Sequence, residues 1–245
     1  MKLTILGKYG PYPKEKGACS SYLLEAAGNK ILIDCGSGSL SRLQQFIDLR
    51  EINMILISHL HFDHISDLFV LRYALEGLKA RGAAIKLPLP VYMPDSPQAT
   101  AELFKNTPVF NVQTITADTK VQIGNLHISF AEMTHPVKSF AMRFTKGSKT
   151  LVYSGDTNMN EAIIPFARKA DLLLMEAGLL SRDKKDNNAP HISVKEAGVI
   201  GREAGVSRLV ATHQYPGYDE EEIIKELTSE YRIGEIAQEN KTYCI

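Results

Sequence analysis

Cysteine is scarce in this sequence: Cys19, Cys35 and Cys244 are the only three, and no two stand in a Cys-x-x-Cys pair. An odd count without paired spacing excludes a disulfide framework and a thiolate zinc knuckle, and it fits the reducing cytoplasm. Net charge is missing as well, since 28 Lys and Arg balance 28 Asp and Glu. Proteins that grip nucleic acid usually carry a basic excess, and this chain does not. A local basic patch, Lys79, Arg81 and Lys86 without an acid, reads as a solvated face. No apolar run approaches the ~18 residues of a membrane span. The start, Met1 to Gly7, has too short an apolar stretch for a signal peptide and no small-residue cleavage site behind it. With 44% hydrophobic and 23% charged residues the composition excludes disordered and collagen-like classes. The expectation is a soluble cytoplasmic globule.

There is no internal repeat, low-complexity tract or Pro/Ser-rich linker, so residues 1–245 read as one domain. Short apolar runs bounded by Gly, Pro, Asn or Asp predict strands at 3–6, 21–26, 31–33, 54–57, 109–115, 121–130, 140–145, 151–153, 172–175 and 209–211. Ile65, Leu68, Phe69, Arg72, Leu75 and Leu78 follow helical spacing, with Gly82 as the stop. Further helices are expected near 40–46, 97–105, 161–169 and 219–229. Another begins at the capping box Ser193-Val194-Lys195-Glu196. The pattern is that of an α/β protein with two sheets and helices outside.

Histidine placement carries the chemistry. His59-Leu60-His61-Phe62-Asp63-His64 follows directly on the strand at 54–57. Three imidazoles and a carboxylate are thereby offered within six residues, and these are the ligand types that suit zinc and similar divalent ions. Extended alternation predicts His59, His61 and Asp63 on one side, with His64 turned by a helix beginning near Ile65. His135, Asp156 and His213 each follow a later apolar strand, at the edge where α/β sheets commonly place their sites. Five histidines and two aspartates suffice for two metal ions.

With the His-x-His-x-Asp-His run intact and His135, Asp156 and His213 following in order, the sequence resembles the metallo-β-lactamase-fold hydrolases. The stretch Ile31-Leu32-Ile33-Asp34-Cys35-Gly36 looks like that family's early strand-plus-Asp-Gly element. The resemblance implies an αββα sandwich of two mixed β-sheets flanked by helices. It implies His59, His61 and His135 on one ion, Asp63, His64 and His213 on the other, and Asp156 bridging. The ions would be zinc or manganese, sharing a hydroxide that attacks substrate. Asp34 would orient a ligand histidine, while Cys35 reads as a small buried residue. A homodimer is allowed, since dimers are frequent in the family.

Within the family the branches separate on few residues. True β-lactamases usually carry cysteine where Asp156 stands, and diiron oxygen reductases replace the second histidine, here His61, by a carboxylate. Glu176, ending an apolar strand, and His191, just before the capped helix, look like the glutamate and histidine of ribonuclease Z. There the histidine assists the leaving oxygen and the glutamate supports it, which makes His191 the general acid here. The tRNA-gripping arm of that branch has no counterpart, because only 21 residues lead from His135 to Asp156. The expected substrate is therefore a small or cyclic phosphodiester and not precursor tRNA. The alternatives are a thioester or lactone hydrolase sharing the same ligands, or a non-catalytic metal-binding module. Residues 182–186 read as a mobile solvated lid, His127 as a solvent-facing strand residue, and Gly36-Ser37-Gly38 as a turn.

Overall fold

A computed structural model describes residues 1–186 and 188–245. Among the described residues, fourteen strands form two seven-stranded sheets. The first runs β14 (Thr242–Cys244), β1 (Lys2–Gly7), β2 (Ser21–Ala26), β3 (Asn29–Ile33), β4 (Met54–Leu56), β5 (Leu89–Met93), β6 (Phe110–Thr114). The second runs β13 (Glu235–Ile236), β12 (Leu209–Thr212), β11 (Leu172–Glu176), β10 (Lys149–Tyr153), β9 (Ser139–Lys146), β8 (Leu126–Met133), β7 (Lys120–Ile123). Both sheets mix parallel and antiparallel pairs.

The side-chain period of two sorts each inner strand between two cores. In β11, Leu172 and Leu174 enter the core between the sheets, while Leu173 and Met175 face the helices α4 (Ile163–Ala167), α5 (Val194–Ala204) and α6 (Glu220–Glu230). In β3, Ile31 and Ile33 point between the sheets. Leu32 faces outward toward the cover made by α1 (Ser39–Leu43), α2 (Phe62–Ala80) and α3 (Gln98–Lys105). Strands buried on both faces explain why these runs are continuously apolar and not alternating. The layering is helix, sheet, sheet, helix, as the resemblance implies.

Several expectations change. The run at 121–130 is two strands, folded back at Gly124 and Asn125, where Ile123 pairs with Leu126. Gly124 takes a φ of 57°, the left-handed conformation that lets a two-residue turn fit the twist of its strands. Strand β5 was not expected, because Pro88 and Pro90 argue against a strand. Its ladder to β4 begins only at Val91, past the proline that lacks an N–H. Helix α2 starts at Phe62 and not near Ile65, so Asp63 and His64 belong to its first turn. The helix expected over 161–169 is confined to Ile163–Ala167.

Candidate functional site

The candidate ligands, with Glu176 and His191, come to one edge. His59 and His61 follow β4, Asp63 and His64 open α2, and His135, Asp156, Glu176 and His213 follow or end β8, β10, β11 and β12. His191 lies on the segment before α5. Because α2 begins at Phe62, the three-on-one-side alternation fails. His61 instead joins His59 and His135, and Asp63 turns with His64 toward His213.

In the first group His61 Nδ1 lies 3.1 Å from His59 Nε2 and 3.0 Å from His135 Nε2. Burial and the neighbouring imidazoles hold His59 well below its ordinary pKa, and burial also lowers His61 and His135. Neutral imidazoles with nitrogens this close cannot all hydrogen-bond one another. A tetrahedral divalent ion with bonds of ~2.0–2.1 Å sets its ligand atoms roughly 3.3 Å apart, which this trio nearly matches. In the second group His213 Nε2 is 3.1 Å from Asp63 Oδ2, and His64 Nε2 is 3.7 Å from the same oxygen.

Asp156 sits between the groups. Its Oδ2 lies 3.1 Å from His213 Nε2, 3.4 Å from His64 Nε2 and 3.5 Å from His59 Nε2. Burial raises its pKa, but His213, His64 and His59 outweigh this and hold the carboxyl well below the usual range. Asp156 Oδ1, His64 Nε2 and His213 Nδ1 are buried without a well-aligned hydrogen-bond partner. Buried polar groups normally find partners, and His64 Nε2, buried without one while facing Asp156 Oδ2 at 3.4 Å, suits a cation placed between them. The residues present therefore fit two divalent ions.

Around them stands a supporting layer. Asp34 accepts from the Ser58 amide at 2.7 Å, and from Ser58 Oγ, Tyr153 Oη and His64 Nδ1 at 2.8 Å each. The His64 bond turns Nε2 toward Asp156. Ser58 Oγ also lies 3.1 Å from His59 Nδ1, and His135 Nδ1 donates to the Pro190 carbonyl at 3.0 Å. Asp34 and His213 both hold left-handed backbone, φ 52° and 54°, strain that persists where surroundings over-determine it. Ser58, Tyr153 and Pro190 escape sequence reasoning. Only the position of Ser58 beside His59 offered a hint.

Glu176 is fully buried and saturated, accepting from the Thr157 amide at 2.8 Å and the Gly178 amide at 3.0 Å, with His191 Nδ1 3.1 Å away. Burial pulls the His191 imidazole down, but the Glu176 carboxylate more than offsets it, raising the pKa to about 9. With Nδ1 held by Glu176, Nε2 is the nitrogen free to carry a proton to a ligand.

Other expectations resolve simply. His127 is exposed on β8, Lys79, Arg81 and Lys86 are exposed, and Cys35 is buried in the outer core. Residues 36–38 form a turn, and the Leu40 amide behind it donates to Asp67. The segment 182–186 is no free lid. Arg182 pairs with Glu222, Tyr218 donates to Asp183, and the largely buried Lys184 bonds Glu196 and Asn158.

No helix among the described residues is long and apolar enough to cross a membrane. The model of the β-lactamase superfamily domain matches residues 29–214, a span that holds the seven candidate ligands with Asp34, Glu176 and His191. The probable metallo-hydrolase YhfI of Bacillus subtilis is 36% identical over 217 residues, covering 87% of this chain and 86% of that protein. The crystal structure of YhfI, a metallo-β-lactamase fold protein, has a TM-score of 0.90 at 30% identity and covers 99% of each chain. The short form of human tRNase Z shares the fold, with a TM-score of 0.80 at 22% identity, covering 100% of this chain and 99% of that one. Ribonuclease Z of Methanopyrus kandleri is 24% identical over 273 residues, covering 97% of this chain and 95% of that protein. Fold, clustered histidines and relatives agree, and the chain belongs to the β-lactamase superfamily as a metallo-hydrolase.

Proposed function

We propose that the chain is a dinuclear phosphodiesterase acting on small or cyclic phosphodiesters. His59, His61 and His135 would hold one divalent ion and Asp63, His64 and His213 the other, with Asp156 available to both. Zinc suits this nitrogen-rich set best, and manganese is the second choice. Bound there, two such ions supply a water acidic enough to attack at neutral pH and positive charge against the phosphoryl oxygens. Asp63 would be both a ligand of the second ion and a carboxylate near the nucleophile. Asp34 and Ser58 hold His64 and His59 in register.

The observation that carries the phosphodiester reading is the His191–Glu176 pair. Glu176 has no contact with bulk water and bonds two amides, so its carboxylate holds one position. It keeps His191 charged and aimed beside Asp156, with 3.9 Å between His191 Nδ1 and Asp156 Oδ2. An alkoxide leaving a phosphoryl centre needs a delivered proton, whereas a thiolate leaves without one. The interval from His135 to Asp156 supports a small substrate. It is spent on the β9–β10 hairpin, and nothing in it projects as an arm.

Metal analysis of protein purified without added metal should give about one to two ions per chain. A panel of bis(p-nitrophenyl) phosphate, a 2′,3′-cyclic nucleotide, a lactone and a glutathione thioester decides the bond. We expect turnover of the two diesters, and His191→Ala should slow the cyclic diester by roughly 10²–10⁴-fold but the activated aryl ester far less. Turnover of the lactone and thioester alone, or efficient 3′ trimming of precursor tRNA, would overturn the proposal.

A further inference from the structure

The floor of the site is charged, but its surroundings are apolar. Among the exposed large apolar side chains, Phe62 stands between His61 and Asp63, Met159 follows Asp156 by three residues, and Tyr215 follows His213 by two. Tyr12 joins them from the other direction. The segment 8–10 runs alongside 213–214, the Gln214 amide donating to the Lys8 carbonyl at 2.8 Å and the Gly10 amide to the Gln214 carbonyl at 3.2 Å. A Cβ at Gly10 would fall 2.0 Å from His213 Nε2, so this backbone lies directly against the imidazole. Only glycine fits there. Two residues further on, the Tyr12 ring meets Tyr215 edge to face, with centroids 5.9 Å apart and planes at 87°. Tyr215 is backed in turn by Tyr218 at 5.1 Å.

These rings are braced yet open. Tyr12 is 48% and Tyr215 38% exposed, leaving part of each residue open to solvent. Two nearby cations are spoken for: Lys8 pairs with Glu220 at 2.6 Å and Lys184 with Glu196 at 2.7 Å. A run of phosphates would find no free lysine at either place, whereas a flat heteroaromatic ring would find a braced π surface. We infer that Tyr12 and Tyr215 form the stacking platform for the base of a nucleotide, whose phosphoryl group lies on the charged floor. This rests on the phosphodiester reading and names its substrate class. The base binds at the Tyr12–Tyr215 rim, and affinity comes from one stacked ring and one phosphoryl group.

The test is equilibrium binding, which needs no turnover. Calorimetry on the protein as purified compares AMP with ribose 5-phosphate, probes that differ by the base. AMP should bind about tenfold tighter or more, as expected for one base stacked on aromatic side chains. The double variant Tyr12→Ala/Tyr215→Ala should bring the two probes to within about twofold, since stacking supplies the difference. Tyr12→Phe/Tyr215→Phe should keep the preference, because the π face and not the hydroxyl is used. Tyr73→Ala, an exposed tyrosine elsewhere on α2, should leave the ratio untouched. Equal binding of the two probes by the unaltered protein overturns the inference, as does a preference that survives the double alanine variant. An alanine variant that shifts the sedimentation coefficient and not the AMP preference overturns it too, and assigns the rings to a contact between copies. Inert diesters in the hydrolysis panel would sink the catalytic reading while leaving the binding ratio to stand or fall alone.

Discussion

Two aspartates of this chain are equally buried, and they are opposites. Asp34 and Asp156 both follow a strand and are 0% and 1% exposed. Asp34 is closed: four donors from Ser58, Tyr153 and His64 occupy its two oxygens. Asp156 is open: one oxygen has no partner, and the other faces three imidazole nitrogens at 3.1–3.5 Å. The same residue type in the same kind of place is a satisfied brace in one region and, in the proposed reading, a metal ligand in the other. Burial does not mark the working group. The unmade bonds do, because a buried carboxylate without donors is costly unless a cation completes it.

The comparison breaks most sharply at Asp156. Asp156→Asn should lower kcat/KM by roughly 10³-fold or more, since it removes charge stabilisation worth several kcal/mol. Asp63→Ala should act alike. In both, the metal-free protein should melt close to the metal-free parent by circular dichroism. A collapse of the fold in either would show that these groups hold structure. Asp34→Asn should do the reverse. It puts an amide donor among donors, so a loss of about 1–3 kcal/mol in denaturant unfolding is expected. The accompanying fall in metal affinity should be about 10–100-fold, as for groups that orient a ligand. An Asp34→Asn variant with unchanged stability would erase the distinction. The smallest effect belongs to His127, the histidine that faces solvent. His127→Ala should change stability by less than about 0.5 kcal/mol and leave turnover alone, and a measurable loss of turnover would reveal a role outside the cluster.

Much of this was legible. The His-x-His-x-Asp-His run is local in sequence, so its ligand types declare themselves before any folding is considered. Asp156, His213 and Glu176 were found because each stands where an apolar strand stops. What escaped was whatever depends on partners far along the chain. Tyr153 reads as the end of a strand, and only the facing of two sheets brings its hydroxyl to Asp34, 119 residues away. Pro190 reads as a loop residue, yet its carbonyl holds His135. Strand β5 was hidden by its own prolines, and the lid expected at 182–186 proved to be tied down by Glu196 and Glu222 on other helices.

The sequence by itself determined the strands and helices with strong periodicity, the ligand types and their order along the chain. These follow from side-chain period and from chemistry carried by single residues. Only the tertiary structure decided that Tyr153 and Pro190 brace the histidine cluster and that Tyr12 meets Tyr215 beside His213. The reason is physical. Hydrophobic burial packs the sheets face to face without regard to sequence distance, and that packing sets a strand end and a helix start 150 residues apart within 3.1 Å of one another, as His213 and Asp63 are.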